Sequence, residues 1–114
     1  MFSCSLAALL LVSVTPTLAK KRPTVLSPTP GVLCDRYVCA DDKGISRELT
    51  RTHLGKKAAA NELFTSSHVD LTEFTLANGI FCDVKERLCR VDRYYENGQR
   101  SAVSEKYTKL LFGH

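Results

Sequence analysis

At 114 residues, 44% of them hydrophobic and five of them cysteine, the chain can bury one modest core and is too short for several. Its formal charge of +4, from 16 Lys and Arg against 12 Asp and Glu, sits mostly at one point, because Lys20, Lys21 and Arg22 supply three of the four charges. The near-neutral remainder lacks the basic face with interleaved aromatics that nucleic-acid binding requires, so no nucleic-acid partner is expected.

The opening "MFSCSLAALLLVSVTPTLA" has no charged side chain, an apolar run from Leu6 to Val14 and a small-residue ending. This predicts a secretory signal peptide over 1–19, cleaved after Ala19. The run is too short to span a bilayer, so no transmembrane segment is expected after cleavage, and the expected location is periplasmic or secreted. Cleavage removes Cys4 and leaves Cys34, Cys39, Cys82 and Cys89. An even set in a short exported chain reads as two disulfides. The spacings do not suit redox or zinc motifs, which place two residues between their cysteines.

Residues 20–30 combine the basic tip with Pro23, Pro28 and Pro30, which deny the segment helix and ladder bonds and predict a flexible extended arm. A single globular disulfide-containing domain is expected over 31–114. Within it "GVLCD" at 31–35 echoes "GIFCD" at 79–83, and "SRELTRTHLG" at 46–55 aligns without a gap on "SEKYTKLLFG" at 104–113. The two matches in the same order suggest a duplicated unit of cysteine-bearing extended segment followed by a short helix.

Ser46 and Ser104 are predicted N-caps, and Gly55 and Gly113 are predicted left-handed helix ends. The core faces expected at helical spacing are Ile45, Leu49 and His53/Leu54 in the first unit, and Val103, Tyr107 and Leu110/Leu111 in the second. "KKAAANELF", 56–64, predicts a further short helix with Ala59, Ala60, Leu63 and Phe64 turned inward. The Asn-Gly pair in "EFTLANGIFCDV" predicts a hairpin with a type I′ turn. "CDVKERLC" is symmetric about Lys85-Glu86, which sets Val84 against Arg87, Asp83 against Leu88 and Cys82 against Cys89. A two-residue turn would leave the cysteines at a hydrogen-bonded position, an awkward site for a cross-strand bridge, so a longer turn is the alternative. The strand is expected to run on through Val91 and Tyr94/Tyr95 to a second Asn-Gly turn in "ENGQ".

By the same symmetry Cys34 faces Cys39 around Arg36-Tyr37. Four cysteines allow three connectivities, and hairpin symmetry selects the local pairs 34–39 and 82–89. The fold class expected is therefore α+β: a small antiparallel meander of about four strands with two or three short helices, stabilised by disulfides.

"GVLCDRYVCADDKGISRELTRTHLG" together with "FTLANGIFCDVKERLCRVDRYYENGQRSAVSEKYTKLLFG" resembles the Fels prophage protein-like family, also called the YcgJ family, of small exported proteins from Gram-negative bacteria. The resemblance spans Gly31 to Gly113. It implies a periplasmic or secreted bacterial protein and transfers no activity to any residue.

No catalytic constellation is legible, and the chain is expected not to be an enzyme. His53, His68 and His114 show no metal-ligand spacing, "DDKG" at 41–44 lacks the later oxygens of a calcium loop, and neither metal nor cofactor is expected. Asp35 and Asp83, each directly after a cysteine, are expected to cap turns or pair with a nearby Arg. What remains is a set of aromatic and basic residues: Tyr37, Arg90, Arg93, Tyr94, Tyr95 and Arg100. Tyr and Arg are favoured interface anchors, so the expected function is a non-catalytic interaction module for an envelope or periplasmic protein. The alternative is a small-ligand or envelope-polyanion binder using the same strand. If instead one tyrosine of the 94/95 pair packs inward, the arginines merely keep the sheet soluble.

Overall fold

A computed structural model describes residues 23–113. The expected signal peptide at 1–19, the basic tip at 20–22 and His114 lie outside the described residues. The fold is α+β, with three short helices, small antiparallel sheets and disulfides Cys34–Cys39 and Cys82–Cys89.

The expected meander is not one sheet. β1 (Leu33–Cys34), β2 (Cys39–Asp41) and β3 (Gly44–Ser46) form the first three-stranded sheet, with Cys34 opposite Cys39. β4 (Glu73–Thr75), β5 (Phe81–Asp83) and β6 (Leu88–Arg90) form the second, with Cys82 opposite Cys89. β7 (Tyr95–Glu96) and β8 (Gln99–Arg100) make a separate two-stranded ribbon. The two larger sheets meet where the Ile45 N–H donates to the Leu71 carbonyl at 2.8 Å. Gly44 allows that approach, since a Cβ there would collide with the Leu71 carbonyl oxygen.

The helices follow their capping signals. Ser46 accepts from the Leu49 N–H to open α1 (Arg47–Leu54), and Ser104 accepts from the Tyr107 N–H to open α3 (Glu105–Phe112). Gly55 ends α1 at positive φ, 98°, although its ψ of 172° lies outside the left-handed helical conformation expected. Gly113 does not adopt the expected left-handed conformation, having φ −94°; its missing side chain instead leaves room for the Lys109 carbonyl oxygen, 2.7 Å from where a Cβ would sit. The single helix expected over 56–64 is divided into α2 (Lys56–Ala59) and a 3-10 turn (Glu62–Phe64). Asn61 causes the division, its side chain accepting from the Leu63 N–H and starting a new cap. Ala59 is buried, Leu63 and Phe64 are half-buried, and Ala60 faces solvent.

Identical dipeptides make different turns. Asn97 and Gly98 both have positive φ, 53° and 78°, and join Glu96 to Gln99 as a two-residue type I′ loop. Asn78-Gly79 does not: only Gly79 is positive, at 92°, and the loop spans 77–79 with Leu76 and Ile80 bonded across its base. The Asn78 side chain accepts from the Ile80 N–H and fixes this longer form. The 82–89 hairpin is likewise longer than two residues. Its pairing ends at Asp83 and Leu88, and Arg87 takes φ 55° in a four-residue turn. Cys82 and Cys89 thereby occupy a non-hydrogen-bonded pair, their Cα atoms 4.0 Å apart.

The backbone groups of Cys89 bond elsewhere, and in the same way as those of Cys39. The Cys89 N–H donates to Thr108 Oγ1 at 2.8 Å, as the Cys39 N–H does to Thr50 Oγ1 at 2.9 Å. On the other side Cys34 exchanges two hydrogen bonds with Leu26, while Cys82 pairs with Phe74. Each unit is thus an outer strand, a stapled hairpin and a helix whose threonine closes the hairpin's inner edge. Leu26 brings part of the expected arm into the fold, ahead of the boundary expected at Gly31.

Most of the core joins the two units. Leu33 and Ala40 from the first pack with Phe74, Leu76, Ile80, Cys82, Cys89 and Leu111 from the second. A smaller cluster holds Val32, Cys34 and Cys39 under Leu49 and Leu54 of α1. The expected helical stripes are displaced by a residue here and there. Thr50 is fully buried where His53 was expected, His53 is exposed, and Val103 is 41% exposed. Thr50→Val preserves shape but strips the acceptor from the Cys39 N–H and the donor from the Ser46 carbonyl, so a loss of about 1.5 kcal/mol is expected in chemical denaturation. Stability equal to wild type would show that water replaces the hydroxyl.

Candidate functional site

The chain from 91 to 104 contains no buried residue, and this sets the character of the surface. The strand expected to run unbroken through Val91 to the tyrosines stops at Arg90. Asp92 then accepts from the Tyr94 N–H in a side-chain turn, and the chain re-forms as the β7–β8 ribbon. A strand pair presents its side chains to two faces: Arg100 turns toward Phe81 and Glu86, and no residue of the ribbon is buried. Tyr94 and Tyr95 are accordingly 64% and 63% exposed, so neither packs inward.

An arginine lies beside each ring. The Arg93 guanidinium lies 5.3 Å from the Tyr94 ring centroid, and that of Arg100 lies 5.1 Å from Tyr95 and 5.7 Å from Phe81. Arg100 is anchored in turn. Its Nη1 meets Glu86 Oε1 at 2.9 Å, while Glu86 Oε2 meets Arg90 Nη2 at 3.4 Å. Arg90 Nη1 also donates to the Ser101 carbonyl at 2.7 Å. Glu86, in the turn of the stapled hairpin, therefore ties the ribbon to the second sheet. Exposed ion pairs contribute little each, about 0–1 kcal/mol, so the effect is orientation more than stability. A cleft of about 630 Å³ opens beside the ribbon, lined in part by Asp92, Tyr94, Tyr95, Glu96, Arg100 and Ser101.

Of the six residues expected to form one surface, Tyr94, Tyr95 and Arg100 line this cleft, and Arg93 lies against Tyr94. Arg90 is a supporting member, half-buried and engaged with Glu86 and Ser101. Tyr37 lies apart from this cleft. It is 55% exposed, pairs with Arg36 at 5.9 Å and lines a separate cleft with Leu54, Lys57 and Asn61. Glu86 is the member that sequence reasoning missed, because its relation to Arg100, 14 residues away, depends on how ribbon and hairpin are placed.

The four cysteines are fully committed as the two disulfides. Asp35 and Asp83 are both buried and cap the two hairpin turns. Asp35 Oδ1 accepts from the Tyr37 and Val38 N–H groups, and Asp83 Oδ1 from those of Lys85 and Glu86. "DDKG" is a turn closed by Asp41 accepting from the Lys43 N–H. Asp70, in the loop leading to β4, is held below the usual carboxylate range by its bond from the Thr72 hydroxyl and then by that from the Thr72 N–H. Among the described residues no group of three or more His, Cys, Asp or Glu is placed to hold a metal ion, and no helix is long and apolar enough to cross a membrane.

Comparison with known proteins adds kinship without an activity. A family model described as YcgJ protein matches residues 25–112. Over 88 residues the chain is 54% identical to "Uncharacterized protein YcgJ" of Escherichia coli (strain K12), an alignment covering 75% of this chain and 71% of that protein. No solved structure matches it.

Proposed function

The chain belongs to the YcgJ family, and from that premise we propose that it is an exported, non-catalytic protein-interaction module of the bacterial envelope, binding a periplasmic or envelope protein through the β7–β8 ribbon. The two disulfides support an oxidising compartment. The carrying observation is the adjacent pair Tyr94 and Tyr95, both mostly exposed and each close to an arginine. Exposed tyrosines with arginines beside them are favoured interface anchors.

The polyanion alternative fares less well. Asp92 and Glu96 share the cleft with Arg100, and Arg100 is already paired with Glu86, so the surface offers a mixed field. Affinity for a polyanion would fall steeply with salt, whereas contacts centred on buried tyrosines would not.

Tyr94→Ala/Tyr95→Ala is expected to leave the melting temperature nearly unchanged, because neither ring is in the core. In affinity capture from periplasmic extract, wild type should retain a protein at both low and physiological salt that the double variant loses. Identical catches from the two would remove this surface from consideration.

A further inference from the structure

A second surface differs from the ribbon in chemistry. Residues 27–31 run beside α3 and enclose a groove of about 660 Å³ with Lys106, Lys109, Leu110 and Gly113, a size within the range of small-molecule sites. The outer wall is fixed: Leu26 is bonded to Cys34, the Ser27 hydroxyl donates to the Thr29 carbonyl, and that carbonyl also accepts from the Val32 N–H. Pro28 and Pro30 have no N–H to give. The two proline rings offer a guest apolar surface and give it no N–H, which disfavours an extended peptide there.

Charge supplies the other half of the specification. Lys106 and Lys109 are exposed, three residues apart on one side of α3, and neither is in an ion pair among the described residues. No acidic side chain lines the groove among the described residues. The Lys20–Lys21–Arg22 tip of this chain carries the same sign as the two lysines, so it is a poor occupant. A matching guest has a body that needs no hydrogen bonds and a head that is negative.

We propose that this groove binds a single-chain amphiphile with an anionic head, such as a medium-chain fatty acid. The hydrocarbon lies along Pro28, Pro30 and Leu110, and the carboxylate sits between Lys106 and Lys109. This site is independent of the ribbon and of any protein partner there.

The test is an NMR-monitored titration of the oxidised protein with dodecanoate below its micelle concentration. Saturable one-to-one binding is expected, with shifts concentrated at 27–31 and 106–113. Lys106→Gln/Lys109→Gln should bind at least tenfold more weakly at an unchanged melting temperature, and methyl dodecanoate, which lacks the charge, should lose as much on wild type. Non-saturable binding, shifts centred elsewhere, undiminished affinity of the double variant, or tighter binding of an acidic apolar peptide would each overturn the proposal.

Discussion

Reducing both disulfides is expected to lower the melting temperature by roughly 20 °C or more, from a loss of about 4–5 kcal/mol at about 4–8 °C per kcal/mol for a domain of this size. The bridges join residues only 5 and 7 apart in sequence, so the chain-entropy contribution of each is modest, about 2–2.5 kcal/mol. Their sum is nevertheless comparable with the whole stability of a small domain, about 5–15 kcal/mol. The two are not equal in setting. Cys82 and Cys89 are fully buried in the main cluster, whereas Cys34 and Cys39 belong to the smaller one under α1. Cys82→Ala/Cys89→Ala should therefore cost more than Cys34→Ala/Cys39→Ala, since the volume it removes lies in the larger cluster that joins the two units. Calorimetry of the two double variants and of wild type with and without reductant measures all of this. A reduced wild type that melts with the oxidised protein would sink the staple reading.

Asp35→Asn is expected to cost about 3 kcal/mol, while Asp83→Asn costs less than about 1 kcal/mol. The two carboxylates occupy the same place in their hairpins, yet their surroundings differ. Asp83 receives both of its turn bonds on Oδ1, which an asparagine retains. Asp35 uses both oxygens: Oδ1 accepts from Tyr37 and Val38, and Oδ2 accepts from the Ala77 N–H at 2.8 Å, 42 residues away. An amide in its place must turn an NH2 group toward one of those donors. Whichever way it faces, at least one N–H loses its acceptor, the buried Val38 N–H in one orientation and the half-buried Ala77 N–H in the other, which unfastens the first unit from the 77–79 loop of the second. Urea denaturation of the two variants decides the matter, and equal losses would show that the contact to Ala77 contributes nothing.

Residues close in sequence were the legible ones. The hairpin symmetry about Lys85-Glu86 and Arg36-Tyr37, the serine caps and the paired S-x-x-x-T segments are all short-range patterns, and each is in the fold. Turn lengths were less legible. Asn78-Gly79 and Asn97-Gly98 are the same dipeptide, but the side-chain bond from Asn78 to Ile80 selects the longer loop in the first case. The division into separate sheets was hidden because it depends on how the first two sheets meet, at Ile45 and Leu71, and on a break after Arg90. The groove beside α3 leaves almost no trace in the sequence, since the prolines of the segment that walls it predict a free arm. Thr50 and Thr108 were visible as matched letters, but their roles as acceptors for the cysteine N–H groups required the strands and helices to be placed.

The nearness of each cysteine to its partner has a consequence for how the molecule is made. Both bridges among the described residues close within one hairpin, and the alternative pairings of these four cysteines must bring together thiols in different units, at a greater loop-closure cost. Oxidation of the unfolded chain thus favours the native connectivity before any core exists. The protein should reach its correct covalent form directly after meeting an oxidant, with little thiol shuffling and little need of an isomerase.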